Sequence, residues 1–572
     1  MRRIFIATFL LTSIPAHAQW QQWGRDPQHT GVTSSVAQPP STIFANYVYD
    51  PFVAQESFIG GGDLLAHFQA PLVDGIDIFM EVKSGVYDLG DWQAQTWNVA
   101  NLRWTNGQLV QRWITPTDWK PVPSEADGGP SFEPVFHAIL ANNFVYMPAL
   151  GGTVDQVDRN SGAIIRRINP FPSLDVTIYV AGPLSADSAG NIIYNTMQFD
   201  TLRPWTSDMR GSWLVKITPS GTSSRVAYTN ITPNAPRGSD MCLGVFTSSP
   251  PWPPSTAAVP PSVQCGSQRP GLNVAPAIAS DGTIYTVSRA QFVSRTSYLV
   301  AVNPDLTPKW NASLRDRLND GCNVLLPPNG TPGGCRNGAL TGVDPADNTR
   351  GAGRVNDDST SSPVVAPDGS IYYGAFTRYN YAQGHMMHFS ATGEYLGAYR
   401  FGWDVTPAIW SHGQSYSVIT KENHYASLGS YCDDSSVCPE GRTSSDPEQY
   451  TITRLSPSLD IEWQFKSTNT KSCRRVGNTI LCVDDHPNGF EWCVNAPAVD
   501  ANGATFVNSE DGFLYAIDSS GCLIGSMFLQ LAIGAAYTPL SIDAQGRVYT
   551  QNAGHMFVVG AAIPARRRAV AR

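Results

Sequence analysis

The stretch Ser361–Gly374, SSPVVAPDGSIYYG, sets a proline before an apolar run, an Asp-Gly turn and a second apolar run. Asp-Gly between two β-prone runs signals a tight hairpin, because these residues tolerate the positive φ of a two-residue turn. The pattern recurs. APAIASDGTIYTV from Ala275 and APAVDANGATFVN from Ala496 are near-copies. Five more share the proline: APLVDGIDIFME from Ala70, EPVFHAILANNFVYMP from Glu133, GPLSADSAGNIIYN from Gly182, TPAIWSHGQSYSVIT from Thr406 and TPLSIDAQGRVYT from Thr538.

A second hairpin follows most copies, as in LVAVNPDLTPKWNAS, MMHFSATGEYLGAYRF, TITRLSPSLDIEWQFK and LYAIDSSGCLIGSMFL. Two hairpins make a four-stranded sheet, and no amphipathic pattern of helical period and length intervenes. The repeat prolines, Pro71 to Pro539, are 63, 49, 93, 87, 44, 90 and 42 residues apart. The shortest spacings match the roughly 40–50 residues of a propeller blade. The chain is therefore predicted to be all-β, a single β-propeller of four-stranded blades, eight in number. Seven is the alternative, because the second hairpins of the first and sixth copies are the least regular. Two smaller propellers or a sandwich array fit the even repeat less well. The eighth copy ends at HMFVVG, one strand short, and the orphan stretch STIFANYVYD, Ser41–Asp50, precedes the first copy. This N-terminal strand is predicted to complete the last blade and close the ring, covering edges that would otherwise pair with another chain.

Charged residues are only 15% of the chain, against 50 Gly and 43 Pro in 572 residues, a composition suited to many short strands and turns. Residues 1–18, MRRIFIATFLLTSIPAHA, have two basic residues, a short apolar run and Ala16-His17-Ala18, which together read as a secretory signal peptide. Gln19 stands where a lipoprotein would need cysteine. An exported protein, periplasmic or extracellular, without membrane insertion, is expected. Residues 19–562 form the propeller and 563–572 a basic tail. Loop insertions fall at about 232–270, 319–358, 427–448 and 468–492. Losing Arg2 and Arg3 takes the net charge from -9 to -11, which repels phosphate backbones and argues against a nucleic-acid partner. A monomer with a protein or glycan partner is expected.

Ten cysteines in an exported chain read as disulfides pairing near neighbours: Cys242 with Cys265, Cys322 with Cys335, Cys432 with Cys438, Cys473 with Cys482, and Cys493 with Cys522. No CxxC pair supports zinc instead. The residues just before each repeat proline should line the central channel. His67, Glu133, Asn273, Asp358, Asp404 and Asn495 are the polar candidates there, able to orient a sugar or hold an ion, or simply to satisfy buried backbone groups. Lys421–Tyr425 and Asp484-Asp485-His486 are further clusters, the latter on a loop where acids are usually solvated. No GxSxG, HExxH or phosphate-binding motif occurs, so no catalytic residue is assigned.

The repeat core, roughly APxxxxDGxIY followed by LxAIDxxG, resembles the PQQ-like β-propeller repeat of quinoprotein alcohol dehydrogenases and of the outer-membrane-assembly lipoprotein propeller. The opening segment QWQQWGRDPQHTG, Gln19–Gly31, resembles that superfamily's Trp-x-x-x-Gly-Arg-Asp start. In the dehydrogenases, the resemblance implies a quinone stacked between a tryptophan floor and a vicinal Cys-Cys disulfide, beside Ca²⁺ or a lanthanide held by Glu, Asn and Asp. This chain has no Cys-Cys pair. The tryptophan-docking signature is partial: Ala516-Ile517-Asp518 with Gly521 keeps its front half, and Trp310 and Trp463 stand near the expected strand. The sequence thus points to a non-catalytic binding or scaffold propeller with no cofactor. The alternative is an oxidoreductase using PQQ with Ca²⁺ or another metal, or a polymer-acting lyase or hydrolase, on the same fold.

Overall fold

The computed structural model of the protein describes residues 19–561 except 63, 125–128, 247–254, 319–320, 323–337, 339, 345–346, 378–383, 425–448 and 533–537. Eight antiparallel sheets, each a meander running from the channel outward, form eight blades of one ring. The blades begin at Leu72, Ile139, Ile178, Gln268, Val364, Ala408, Ala498 and Ser541. Innermost strands such as Val364–Val365 are buried on both faces, whereas outer strands such as Ile461–Lys466 alternate between exposed and half-buried. Six blades share a register shift between their third and fourth strands, for example at Asn101/Leu102, Ala301/Val302 and Ala516/Ile517. A bulge there increases local twist, which turns the outer strand out of the plane of the inner ones.

The eighth blade is closed as its missing strand requires. Thr42–Val48 pairs antiparallel with His555–Gly560, from Thr42 opposite Gly560 to Val48 opposite His555. The segment before this strand then runs past every blade in turn. Trp20 exchanges two backbone hydrogen bonds with Val73, at 3.0 and 2.8 Å, and Gln21 O accepts from Leu140 N. Gln22 Oε1 accepts from Ala186 N at 2.6 Å. The carbonyls of Pro27, Gln28, Thr30 and Gly31 accept from Ile278, Val365, Ile409 and Val499, and Gln38 N donates to Gly546 O. Residues 20–38 therefore bind all eight blades at their inner hairpins. Trp23, 0% exposed, is held at the centre of this strap: its Nε1 donates to Thr406 Oγ1 at 2.9 Å, and it packs on Ala275, Ala496 and the edge of His137.

Blades are also stitched by tryptophans. The turn glycines Gly162, Gly393 and Gly521 lie against Trp113, Trp310 and Trp463 of the preceding blades, close enough that an added Cβ would come within 2.7, 2.7 and 3.0 Å of tryptophan atoms. Trp113 Nε1 donates to Arg159 O and Trp310 Nε1 to Ala391 O, both at 3.0 Å.

Several expectations change. The third and fourth blades each carry a fifth strand, Ile178–Val180 and Gln268–Pro270, because their second strands run on past the short innermost one. The insertion expected as a loop at 468–492 contains a hairpin, Lys471–Val476 with Thr479–Asp484, spanned by the Cys473–Cys482 disulfide. Cys242–Cys265 is also bonded. Cys493 and Cys522 are not: both are free, since Cys493 is buried and Cys522 is exposed in the turn that Asp518 closes. The pairings of Cys322 with Cys335 and of Cys432 with Cys438 involve residues outside the described ones, as do the signal peptide and the basic tail. Among the described residues, no helix is long and apolar enough to cross a membrane.

Candidate binding site at the channel mouth

The repeat proline fixes where each blade starts, so the residues before it gather on one face of the ring. His67 and Glu133 are neighbours there: Ala66 bridges Glu133 in parallel, and His67 Nδ1 lies 3.1 Å from Glu133 O. Asn273 Oδ1 accepts from Val135 N at 2.9 Å. Asp358 Oδ1 accepts from Ser131 N at 2.6 Å, and Asp404 Oδ1 from Thr360 N at 3.0 Å. Asn273 and Asp404 adopt φ of 60° and 58°, a left-handed turn that Asn and Asp tolerate better than most residues. These four side chains tie one blade's approach to another's backbone, which explains much of their polarity. Asn495 differs. It is 0% exposed, and both its side-chain polar atoms lack a hydrogen-bond partner among the described residues.

Beneath the mouth lies a group whose chemistry the sequence did not reveal. Lys83, fully buried, lies 2.9 Å from Asp50, 3.3 Å from Glu56 and 2.8 Å from Glu133. Gln95 Nε2 donates to Glu133 Oε2 at 3.0 Å, and Glu81 accepts from Gln69 N. One ammonium cannot balance so many buried carboxylates, and burial pushes Glu56 up to about 8 and Glu81 well above its usual range. Burial lowers His67 to about 4, so it is neutral at neutral pH.

The feature most suited to recognition lies beside Asp358. A cavity of about 170 Å³ is bounded by Pro130, Trp205, Arg269, Arg289, Asp357 and Asp358. Arg269 grips Asp357 in a two-pronged pair at 2.9 and 2.7 Å, and Arg289 Nη1 reaches the same carboxylate at 2.9 Å. The guanidiniums hold Asp357 well below the carboxylate range against the opposing effect of burial. Burial pushes neighbouring Asp358 up to about 6. Arg269 lies over the Trp205 ring at 5.6 Å. Each Nη2 makes one hydrogen bond to a described residue, Arg269 to Asp357 and Arg289 to Gln291 O, leaving each a second N–H. A second cavity, about 260 Å³, is lined by Asp91, Pro123, Tyr179, Phe199, Asp200 and Pro204 and shares no wall residue with the first. Neither arginine nor Trp205 carries a local motif. The two arginines stand opposite each other on paired strands of the fourth blade, and Trp205 meets them from the third.

The remaining clusters separate. Lys421 pairs with Asp404 at 3.6 Å, whereas Asp485 and His486 bond to each other at 2.7 Å on the exposed side of the hairpin insertion. The residues at the mouth do not fit the quinone and metal pair that the resemblance implies. Glu133 is engaged by Lys83 and Gln95, Asp404 by Lys421 and Asp357 by two arginines. Among the described residues, none of His67, Glu133, Asp358 and Asp404 belongs to a set of three His, Cys, Asp or Glu ligand atoms within 4.8 Å.

No protein-family model matches the chain, and no curated protein matches it in sequence. Solved structures do. A europium-containing methanol dehydrogenase is similar over 93% of this chain and 89% of its own, with a TM-score of 0.50 and 11% identity. A quinohemoprotein alcohol dehydrogenase from Comamonas testosteroni is similar over 95% and 81%, with a TM-score of 0.52 and 11% identity. BamB from Moraxella catarrhalis is matched over 81% and 88%, with a TM-score of 0.34 and 11% identity. The fold is that of the PQQ-like β-propellers, and at these identities the likeness extends to the fold alone.

Proposed function

We propose that the protein is an exported, non-catalytic binding propeller that takes a small carboxylate-bearing ligand in the cavity beside Asp358. The observation that carries this reading is the cavity wall, where the buried Arg269 and the half-buried Arg289 share one carboxylate and each keeps an N–H to offer. Arginine's planar fork suits a carboxylate, and the Trp205 ring beneath Arg269 holds that fork in place. Buried neutral histidines and carboxylates already spent on lysine or arginine support binding over proton-transfer chemistry.

Calorimetric titration of the mature chain with a panel of sugar acids and dicarboxylates tests this. Protonation of Asp358 below about 6 removes a negative charge from the cavity, so a carboxylate ligand is expected to bind more tightly at pH 5 than at pH 7.5. Arg289→Gln should weaken it by about tenfold or more. Absence of binding across the panel, or an affinity indifferent to Arg289→Gln, would overturn the reading. Dye reduction with an alcohol, after adding PQQ and Ca²⁺, would replace it with the oxidoreductase alternative.

A further inference from the structure

On the mouth side of the ring, between the seventh and eighth blades, Glu491 and Cys493 precede the innermost strand of the seventh blade. Glu510 sits in the turn between that blade's second and third strands. One ligand atom from each of the three lies within 4.8 Å of the others. Cys493 Sγ is 2.9 Å from Glu510 Oε1 and 4.0 Å from Glu491 Oε1. The cysteine takes part in no disulfide.

A second observation points independently to a ligand. Cys493 and Glu510 share a cavity of about 10 Å³ with Asn508, Thr538 and Gln551. That is about the room of one water or one ion. Asn508 and Gln551 are 4% and 1% exposed. Asn508 Nδ2 donates to Thr538 O at 3.0 Å, and Gln551 Nε2 donates to Gln69 O and Pro539 O, both at 2.9 Å. Carbonyl oxygens only accept, so these bonds fix which end of each amide is nitrogen. Asn508 Oδ1 and Gln551 Oε1 are consequently buried with no hydrogen-bond donor among the described residues. Two orphaned oxygens thus share the cavity with the Cys493 thiol and the Glu510 carboxylate, and Glu491 lies just beyond the thiol. Leaving buried acceptors unmatched is costly, and one cation satisfies them together.

We propose that this is a binding site for a divalent cation of the Zn²⁺ class, with Cys493, Glu491 and Glu510 as ligands and an amide oxygen of Asn508 or Gln551 completing the shell. The sulfur sets the class: Ca²⁺ and Mg²⁺ take oxygen ligands, whereas thiolate with carboxylates suits zinc and cobalt. As a thiolate with two carboxylates, the set would carry three negative charges, and Lys421 near the thiol is already paired with Asp404. A divalent cation offsets two of those charges. The site lies across the ring from the Arg269 cavity and does not depend on what that cavity binds.

The full chain carrying Cys522→Ser, which removes the exposed free thiol, would be stripped with chelator and titrated with Co²⁺. One equivalent should raise a thiolate-to-cobalt charge-transfer band in the near ultraviolet, and Zn²⁺ should displace it. Adding Cys493→Ser should abolish the band, and Glu510→Gln should weaken Co²⁺ binding by about tenfold or more with circular dichroism unchanged. If Cys493→Ser prevents folding, Glu510→Gln decides. A chain that takes up no Co²⁺, keeps the band without Cys493, or binds equally well with Glu510→Gln overturns the proposal.

Discussion

At the scale of the residue, the turn glycines show how one missing Cβ joins two blades. Gly162 has φ of +75°, and an added Cβ would sit 2.7 Å from the Trp113 ring. Gly162→Ala is expected to cost about 2–4 kcal/mol, combining left-handed strain of about 1–2 with overpacking against a ring that cannot retreat. Gly413 provides the control, with φ of +56° and nothing within 4 Å of the added Cβ. Gly413→Ala should cost only the strain, about 1–2 kcal/mol. Denaturant midpoints compare the two, and equal losses would refute docking as the source. Trp310 and Trp463 were legible in the sequence because the strand period places them. Trp113 was not, because it stands in the second hairpin of the first copy, one of the two least regular. The channel candidates divide in the same way. Their positions follow from the repeat proline, but Lys83 beside Glu133, or Arg289 beside Asp357, is a meeting of one blade's strand with the approach to the next that no spacing encodes.

Among the elements, the short N-terminal pieces do more than their length suggests. Thr42–Val48 supplies the outermost strand of the eighth blade, and residues 20–38 stitch the inner hairpins of all eight. Deleting residues 19–50 removes both and is expected to abolish cooperative thermal unfolding or lower its midpoint by many degrees. Trp23→Ala, which leaves the closing strand in place, should cost about 3–5 kcal/mol, the usual loss for a large buried aromatic. Differential scanning calorimetry orders the three proteins. A truncated chain that melts like the intact one would show that the ring holds without its strap. The closing strand was legible because the last repeat was visibly one strand short. The strap was not, since Trp20 to Gln38 has no strand periodicity: its own hydrogen bonds close local turns, such as His29 N to Asp26 O, and those that join it to the ring come from each blade in turn. Insertions were hidden for a related reason. The hairpin at Lys471–Asp484 is mostly exposed and shows no apolar alternation to announce it.

For the whole molecule, burying charge inside the ring gives stability a defined dependence on pH. His29 and His67 are lowered to about 4, and His137 and His385 to about 3, all chiefly by burial. The unfolded chain protonates these rings near 6.5, so below that pH unfolding takes up protons and acid erodes stability. The buried carboxyls act in the opposite sense. Glu56 keeps its proton up to about 8 in the folded ring, and burial holds Glu81 higher still, whereas both ionise near 4.5 when unfolded. From about 4.5 to 8, unfolding therefore releases protons from these groups, and stability falls as pH rises. Between 4.5 and 6.5 the two effects oppose each other; from 6.5 to 8 only the carboxyls remain. Stability is expected to peak near pH 6.5 and then decline, each such carboxyl contributing up to about 1.4 kcal/mol per pH unit while its folded form stays protonated. Glu56→Gln keeps the neutral shape and should flatten the decline by about one proton's share, read from urea midpoints at pH 6.5, 7.25 and 8. An unchanged slope in that variant would mean that Lys83 holds Glu56 ionised, with the excess proton on Glu81 or Glu133 instead.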